Sequence, residues 1–318
     1  MSQAETRSVV LVNPVYPPTQ AALEHSYTVH KLWQAEDQAA FLKEVSGEVS
    51  GLVTDGGSGA SAELLRQLPN VRVVSVFGVG VDAVDLDYCK SQGIRVGNTP
   101  DVLTDDVADI ALALALGTYR QVATMHNYAC TGRWVSEGPA PLTTRFSGCR
   151  VGIFGLGRIG GAIAKRLLGF GCDISYCNRK PAAADQPYQY YADLETLAAN
   201  VECLILAVAP TPSMKNIVND KVLNALGANG FLINVSRGLV VDEDALVNAL
   251  QQGRIAGAGL DVFAAEPAIP EALLSMPNVL LQPHVASATE QTRGAMGQLV
   301  LDNLENFYAG RELRAFVA

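Results

Sequence analysis

No Lys/Arg block occurs anywhere in the 318 residues, and the formal net charge is −9. A nucleic-acid binder normally carries a basic surplus or stripe, so no nucleic-acid partner is expected. Small anionic substrates stay open, because a few local cations suffice to hold them. No Cys-x-x-Cys pair is formed by the cysteines at 89, 130, 149, 172, 177 and 203. That argues against a disulfide framework, and buried, reduced thiols of a cytoplasmic protein are expected instead. No His/Cys cluster suggests a metal site. The first residues, MSQAETRSVVLVNPVYPP, lack the basic segment and long apolar core of a signal peptide. No apolar run reaches membrane-spanning length, the richest, Ile110 to Leu116, being too short. No membrane partner is therefore expected. The Gly-x-Ser-x-Gly elbow is also missing, which disfavours a serine hydrolase.

Apolar residues and glycine are abundant. Hydrophobic residues make up 49% of the chain, ample for the cores of one large domain or two. One stretch organises the rest. Val151 to Phe154 is a short apolar run, followed by Gly155-Leu156-Gly157-Arg158-Ile159-Gly160, a helix-like segment to Leu168, and a second apolar run from Ile174 to Cys177. Strand, glycine turn, helix and strand in that order form a dinucleotide-binding unit. Gly155 permits the tight turn, Gly157 lets backbone approach a pyrophosphate, and Gly160 lets helix and strand pack closely. The helix N-terminus then faces the phosphates. A second match, Gly78-Val79-Gly80-Val81-Asp82-Ala83, follows the apolar run Val71 to Phe77. The next run, Ile94 to Val96, arrives too soon for a full crossover helix, so this copy is read as a decoy.

Strand-like runs at Val9–Val12, Val49–Val53, Val71–Phe77 and Ile94–Val96 alternate with helix-like segments at 35–45 and 61–68. Asn98-Thr99-Pro100 breaks this series. Two helices, from about Asp105 to Tyr119 and from Gln121 to Gly132, lead to a second series. Its six strands begin at Val151, Ile174, Cys203, Gly230, Ile255 and Val279. Ser287-Ala288-Thr289-Glu290 has the form of a capping box and opens a last helix to about Tyr308. The expectation is an α/β chain of two doubly wound parallel-sheet domains. A Rossmann cofactor domain, 101–285, is inserted in a flavodoxin-like substrate domain, 1–100 plus 286–318.

The second strand of the cofactor domain ends in Asn178-Arg179-Lys180. An NAD site needs an Asp or Glu there for the adenosine ribose, and neither Asp173 nor Asp185 falls in place. Arg179 and Lys180 suit a 2′-phosphate, so NADPH is the expected cofactor. Three polar residues follow three late strands: Arg237 in Asn-Val-Ser-Arg-Gly, Glu266 in Ala-Glu-Pro, and His284 in Gln-Pro-His. Ligands of an open α/β sheet bind beyond the carboxyl ends of its strands. Arg237 can hold a carboxylate and polarise a keto oxygen. His284 can supply the proton, and Glu266 can orient the imidazole. That set fits reduction of a 2-keto acid. His25, His30 and His126 have no comparable setting.

At this point the chain resembles the D-2-hydroxyacid dehydrogenase family over essentially its full length, more loosely in the first 70 residues. The motifs are GVGVDAVDLDYCKSQGIRVGNTPDVLTDDVAD at 78–109, GIFGLGRIG at 152–160, NVSRG at 234–238, GLDVFAAEP at 259–267 and QPHVAS at 282–287. Within the family it is most similar to NADPH-dependent hydroxyphenylpyruvate and glyoxylate/hydroxypyruvate reductases. The resemblance implies a homodimer, with the terminal helix returning to the substrate domain. It implies catalytic roles for Arg237, Glu266 and His284, and carboxylate binding by the N–H groups of Val79 and Gly80. It places Gly155, Leu156, Gly157, Arg158, Ile159, Asn178, Arg179, Lys180, Ala209, Pro210, Thr211, Val235, Ser236, Asp261 and His284 around the cofactor. Asp261 would face the nicotinamide amide. Trp134 resembles an aromatic that reaches the partner's substrate pocket. Gly78 departs from the pattern, standing where close relatives often have Ser, which leaves aromatic and small keto acids both open. Two other readings on the same fold are weighed. A nicotinamide-sensing corepressor would have lost a catalytic group or gained tails, and a formate dehydrogenase would have Gln in place of Glu266. The sequence shows neither feature.

Overall fold

The computed structural model describes residues 7–182 and 187–318. Asp185, weighed above for the ribose, lies outside them. In chain order the elements begin with β1 (Ser8–Leu11), α1 (Pro17–Ser26), β2 (Thr28–Lys31), α2 (Gln38–Val45), β3 (Gly51–Asp55), α3 (Ala62–Gln67), β4 (Val73–Phe77), α4 (Leu86–Ser91) and β5 (Arg95–Gly97). Three helices follow, α5 (Thr104–Tyr119), α6 (Val122–Cys130) and α7 (Arg133–Glu137). The second series is β6 (Arg150–Phe154), α8 (Arg158–Leu167), β7 (Asp173–Cys177), β8 (Gln189–Tyr191), α9 (Leu194–Ala199), β9 (Cys203–Leu206), α10 (Asp220–Leu226), β10 (Phe231–Asn234), α11 (Glu243–Gln251), β11 (Gly257–Leu260), α12 (Glu271–Leu274) and β12 (Val279–Leu281). A long α13 (Glu290–Tyr308) ends the series.

These elements form two compact units, one within Met1–Leu103 and Ser287–Ala318, the other Thr104–Ala286. The first unit holds a five-stranded parallel sheet in the order β2-β1-β3-β4-β5, the flavodoxin-like order. The strands are apolar on both faces because helices cover both, and Val9, Val10, Leu52, Val53, Val73 and Val74 are fully buried. Of the helices in this unit, α13 packs on β4 and α1. Gly297 makes the second contact possible, since a Cβ there would lie 1.9 Å from Thr19 Oγ1. After α13 the chain returns to the sheet edge, where Gly97 bridges Phe316 and Val317 N–H donates to Val96 O.

The second unit holds a seven-stranded parallel sheet, β12-β11-β10-β9-β6-β7-β8. Read from β8, the order is that of a Rossmann sheet with one added strand, β12. The strand order reverses between β6 and β9, which pair in register from Val151–Cys203 to Phe154–Leu206. Against this sheet packs α5, which meets α8, β10 and β11 and whose Ala108, Ala111 and Ala115 are fully buried.

Several local expectations change. Strands β2 and β8 and helices α1 and α7 carry no strong apolar period and are additions to the sequence reading. The crossover between β4 and β5 is made by the six-residue α4, so the space after Gly80 does hold a helix, a short one. Thr289, not Ser287, caps α13, accepting from Thr292 N–H, so the helix is capped two residues later than the expected capping box places it. Five cysteines are buried, but Cys130 on α6 is exposed. Among the described residues no helix is long and apolar enough to cross a membrane.

Candidate active site

The turn after β6 behaves as its glycines require. Gly155 has φ +102°, and a Cβ on it would stand 2.6 Å from the Val208 backbone. A Cβ on Gly160 would lie 2.1 Å from Gly155 O, so this glycine sets how closely α8 approaches β6. Gly157 has nothing within 4 Å of its Cβ position, and no side chain among the described residues caps α8. An uncapped helix start beside open space at a switch point fits a pyrophosphate. Ala209, Pro210 and Thr211 follow β9 at the same end of the sheet. At the end of β7, Asn178 Oδ1 accepts the Leu156 N–H at 2.7 Å, which ties the glycine turn to the basic turn. With its oxygen engaged there, Asn178 offers a ligand mainly its Nδ2 hydrogens, donors that match a phosphate. Two tyrosines fix this segment. Tyr190 Oη donates to Asn178 O at 3.3 Å, and Ala182 N–H donates to Tyr176 Oη at 2.9 Å. Arg179 and Lys180 between these anchors are exposed.

At the carboxyl end of β10, Asn234 folds the next turn around itself. Its Oδ1 accepts from Ser236 N–H and Ser236 Oγ, and its Nδ2 donates to Arg237 O, each at 3.0 Å. Arg237 emerges half-buried. Gly238 lies against the loop after β11, where a Cβ would come within 1.8 Å of Phe263 C. That loop carries Glu266. Glu266 Oε1 accepts the Phe263 N–H at 2.9 Å, and Glu243 Oε1 accepts the Ala264 N–H at 2.8 Å. Glu266 Oε2 and His284 Nδ1 are 2.6 Å apart. Burial alone would raise the Glu266 carboxyl. The His284 bond, the Phe263 N–H and the Arg237 charge outweigh burial and hold it below its ordinary value. Glu266 is therefore ionised and can only accept, so His284 Nδ1 carries a hydrogen and Nε2 is left for chemistry.

His284 has φ +52°, a left-handed conformation that is usually left to glycine. Asp261, at the end of β11 and 1% exposed, holds it there. Its carbonyl accepts the His284 N–H at 2.8 Å. Its carboxylate accepts the Val285 N–H at 2.8 Å and the Ala286 N–H at 3.1 Å. Burial is the largest influence on this carboxyl and raises it, against the pull of those two N–H groups. Arg237, Glu266 and His284 thus leave neighbouring strands β10, β11 and β12, with strained backbone locked by a buried carboxylate.

In the other unit, Gly78-Val79-Gly80 follows β4. Among the described residues neither the Val79 nor the Gly80 N–H donates a hydrogen bond, although both residues are half-buried. Two successive unmet N–H groups are donors that an anion could engage.

Residues 112–286 match the D-isomer specific 2-hydroxyacid dehydrogenase family, NAD binding domain. The chain belongs to this family. It is 44% identical to glyoxylate/hydroxypyruvate reductase A of Arabidopsis thaliana, covering 97% of this chain and 98% of that protein. It is 44% identical to hydroxyphenylpyruvate reductase of Plectranthus scutellarioides, with the same coverage of 97% and 98%. Its fold is similar to the crystal structure of NADPH-dependent glyoxylate/hydroxypyruvate reductase from Sinorhizobium meliloti in complex with NADP and malonate. The TM-score there is 0.93, with 44% identity over 98% of this chain and 97% of that one. None of these three relatives supports the corepressor reading.

For this dehydrogenase-family chain, the structure gathers the residues expected around a nicotinamide cofactor at one edge of the seven-stranded sheet. Trp134 stands on α7, 69% exposed. Asp261 spends its carboxylate on the backbone of 285 and 286, so its first task is to shape the His284 turn. Asn234, Glu243, Gly238 and the two tyrosines, Tyr176 and Tyr190, escaped the sequence reading. Asn234 alone carried a signal, an amide at a strand end two residues before a serine, the pattern of an Asx turn.

Proposed function

We propose that the chain reduces 2-keto acids to D-2-hydroxy acids with NADPH. The observation that carries this reading is the His284–Glu266 pair, 2.6 Å apart, on the strand-end loop next to the one that carries Arg237. When bound, NADPH supplies a hydride to the carbonyl carbon. The Arg237 guanidinium holds the substrate carboxylate and polarises the keto oxygen. The N–H groups of Val79 and Gly80 take the carboxylate as well. His284 Nε2 gives its proton to the oxygen as the negative charge develops, and Glu266 stabilises the imidazolium that precedes transfer. Reduction consumes one proton per turnover, and the reverse reaction returns it to His284.

Arg179 and Lys180 select the 2′-phosphate, with the Asn178 amide as a further donor. The substrate is of the glyoxylate, hydroxypyruvate or hydroxyphenylpyruvate type, the classes turned over by the named relatives. The chain works as a homodimer in the cytoplasm. Trp134, Val135 and Leu142, respectively 69%, 94% and 99% exposed, are the apolar groups that a second copy covers. Trp134 then reaches toward the partner's substrate.

The test follows NADPH absorbance with a panel of 2-keto acids and compares kcat/KM, in the wild type and in Arg237→Ala. Turnover by the wild type and near-abolition in the variant, with NADPH binding retained, is the expected outcome. No turnover with any keto acid refutes the reductase reading. Full activity of Arg237→Ala refutes the role given to Arg237.

A further inference from the structure

Within the first unit, the loop Gly78-Val79-Gly80 is held from one side by a single segment, Asn98-Thr99. Asn98 Nδ2 donates to Val79 O at 2.9 Å, and Thr99 N–H donates to Gly78 O at 2.9 Å. The Gly78 and Val79 carbonyls are therefore both turned toward residues 98–99. A peptide plane with its carbonyl fixed has its N–H fixed as well, pointing the opposite way. The Val79 carbonyl shares its plane with the Gly80 N–H, and the Gly78 carbonyl shares its plane with the Val79 N–H. The two bonds from 98–99 thus aim the two N–H groups that have no partner among the described residues. Thr99 contributes through its backbone, and Asn98 contributes through its side chain.

Asn98 is held in turn. Its carbonyl accepts from Asn303 Nδ2 at 3.3 Å, and Asn303 Oδ1 accepts the Ala315 N–H at 3.0 Å. Asn303, on α13, is fully buried. Gly97 makes room for it, because a Cβ at 97 would stand 2.8 Å from Asn303 Nδ2. The chain Ala315–Asn303–Asn98–Val79 runs from the C-terminal tail to the anion-binding loop. Satisfied buried networks of this kind fix one geometry, since any loosened member leaves an unpaired group.

We infer that Asn98 is a positioning residue for substrate: by holding the Val79 carbonyl it aims the Gly80 N–H at the substrate carboxylate. The inference rests on the reading that Val79 and Gly80 bind that carboxylate. It predicts an effect confined to the keto acid. Without the amide donor, the Val79–Gly80 peptide plane is free to rotate, and the carboxylate loses an aligned partner. The residues expected around the cofactor belong to the other unit.

The experiment measures KM for glyoxylate and for hydroxypyruvate, KM for NADPH, kcat and the thermal midpoint, in wild type, Asn98→Ala and Asn98→Asp. Asn98→Ala should raise the keto-acid KM roughly ten- to hundredfold, the scale on which a slightly misplaced binding group acts. KM for NADPH should stay within about twofold. Asn98→Asp keeps size and shape but sets a carboxylate against the Val79 carbonyl, two acceptors face to face. It should therefore be the worse of the two, which a packing role does not predict, and it serves alone if Asn98→Ala does not fold. A keto-acid KM within twofold of wild type in the variants that fold overturns the inference and leaves the reductase reading standing. An equal rise in KM for NADPH, or Asn98→Asp matching wild type, also overturns it. A wild type that turns over no keto acid defeats both readings.

Discussion

Gly238 offers the sharpest test of how the loop that carries Glu266 is held. A Cβ at this position would lie 1.8 Å from Phe263 C, 2.1 Å from Phe263 O and 2.2 Å from Ala264 N. Ordinary contact begins at 3.4 Å, so Gly238→Ala requires the 263–264 backbone to retreat by 3.4 − 1.8 = 1.6 Å. Backbone is the wrong kind of neighbour to yield. The Phe263 N–H is bonded to Glu266 and the Ala264 N–H to Glu243, so the retreat drags Glu266 with it. The 2.6 Å bond from His284 to Glu266 cannot survive a displacement of that size. Overpacking costs about 1–3 kcal/mol, which leaves a protein of ordinary stability folded. Displacing a catalytic group by an ångström or more costs about 10²-fold in rate. Gly238→Ala is therefore expected to remain folded, with a lowered unfolding midpoint, to bind NADPH, and to lose about 10²-fold or more in kcat. Steady-state kinetics with glyoxylate, NADPH fluorescence titration and urea unfolding check the three parts. A kcat within threefold of wild type refutes the argument that Gly238 sets the position of Glu266.

Three further outcomes follow from the site. Arg179→Ala should raise KM for NADPH by about tenfold or more, the worth of a charge-assisted hydrogen bond, and leave KM for NADH unchanged; equal effects on both cofactors contradict a 2′-phosphate role. Glu266 is held below its ordinary carboxyl value in the fold, so it contributes stability that is present above its unfolded value and is lost as pH falls through its folded value. Urea midpoints of wild type and Glu266→Gln should therefore converge at acid pH and separate toward neutrality, and a gap that widens on acidification contradicts the assignment. Asp261→Asn replaces one acceptor oxygen by an amide donor, leaves either the Val285 or the Ala286 N–H unmet, and should destabilise by about 1–3 kcal/mol. Because that N–H belongs to the His284 turn, kcat should fall in the same variant; unchanged kcat would mean that the turn does not depend on Asp261.

The parts of this protein that were legible in its sequence are those in which a local pattern forces a local shape. Gly155, Gly157 and Gly160 announced a strand, a turn and a helix, and the turn has the open Gly157 and crowded Gly160 that the spacing requires. That Arg237, Glu266 and His284 lie in loops at the same end of one sheet was legible because each loop follows an apolar run, and parallel topology puts the strands' carboxyl ends on one side. Strands β2 and β8 were not legible. Both are sheet edges, of four and three residues, with mostly half-exposed side chains, so tertiary pairing and not hydrophobic period creates them. The same holds for α4, only six residues long, whose place between β4 and β5 made Gly78–Gly80 look like an incomplete copy of the dinucleotide turn.

Less legible was the part that amides and carboxylates at buried or half-buried positions play in shaping backbone. Asn234 folds the Arg237 turn, Asp261 holds His284 at φ +52°, and Asn98 with Asn303 holds the Val79 carbonyl. Each bonds main-chain groups; Asp261, Asn98 and Asn303 reach groups 19 or more positions away, so no local pattern marks those three, and Asn234 carries only its Asx-turn signal. Their common logic is nonetheless physical. A catalytic or binding group at a strand end sits on irregular backbone, which sheet and helix ladders cannot fix. A short polar side chain, itself buried, supplies the missing bonds at a distance. Asn and Asp suit the task because their oxygens reach backbone N–H groups with few rotatable bonds to immobilise. Asp261 is the costly version, since burial raises its carboxyl, while Asn98 and Asn303 achieve similar control without charge. The carboxylate is retained at 285–286 because both N–H groups there need acceptors, and an amide offers only one oxygen. At Val79 the need is a donor, which a carboxylate lacks and an amide has. The choice between Asp and Asn at these positions thus follows from whether N–H or C=O must be held.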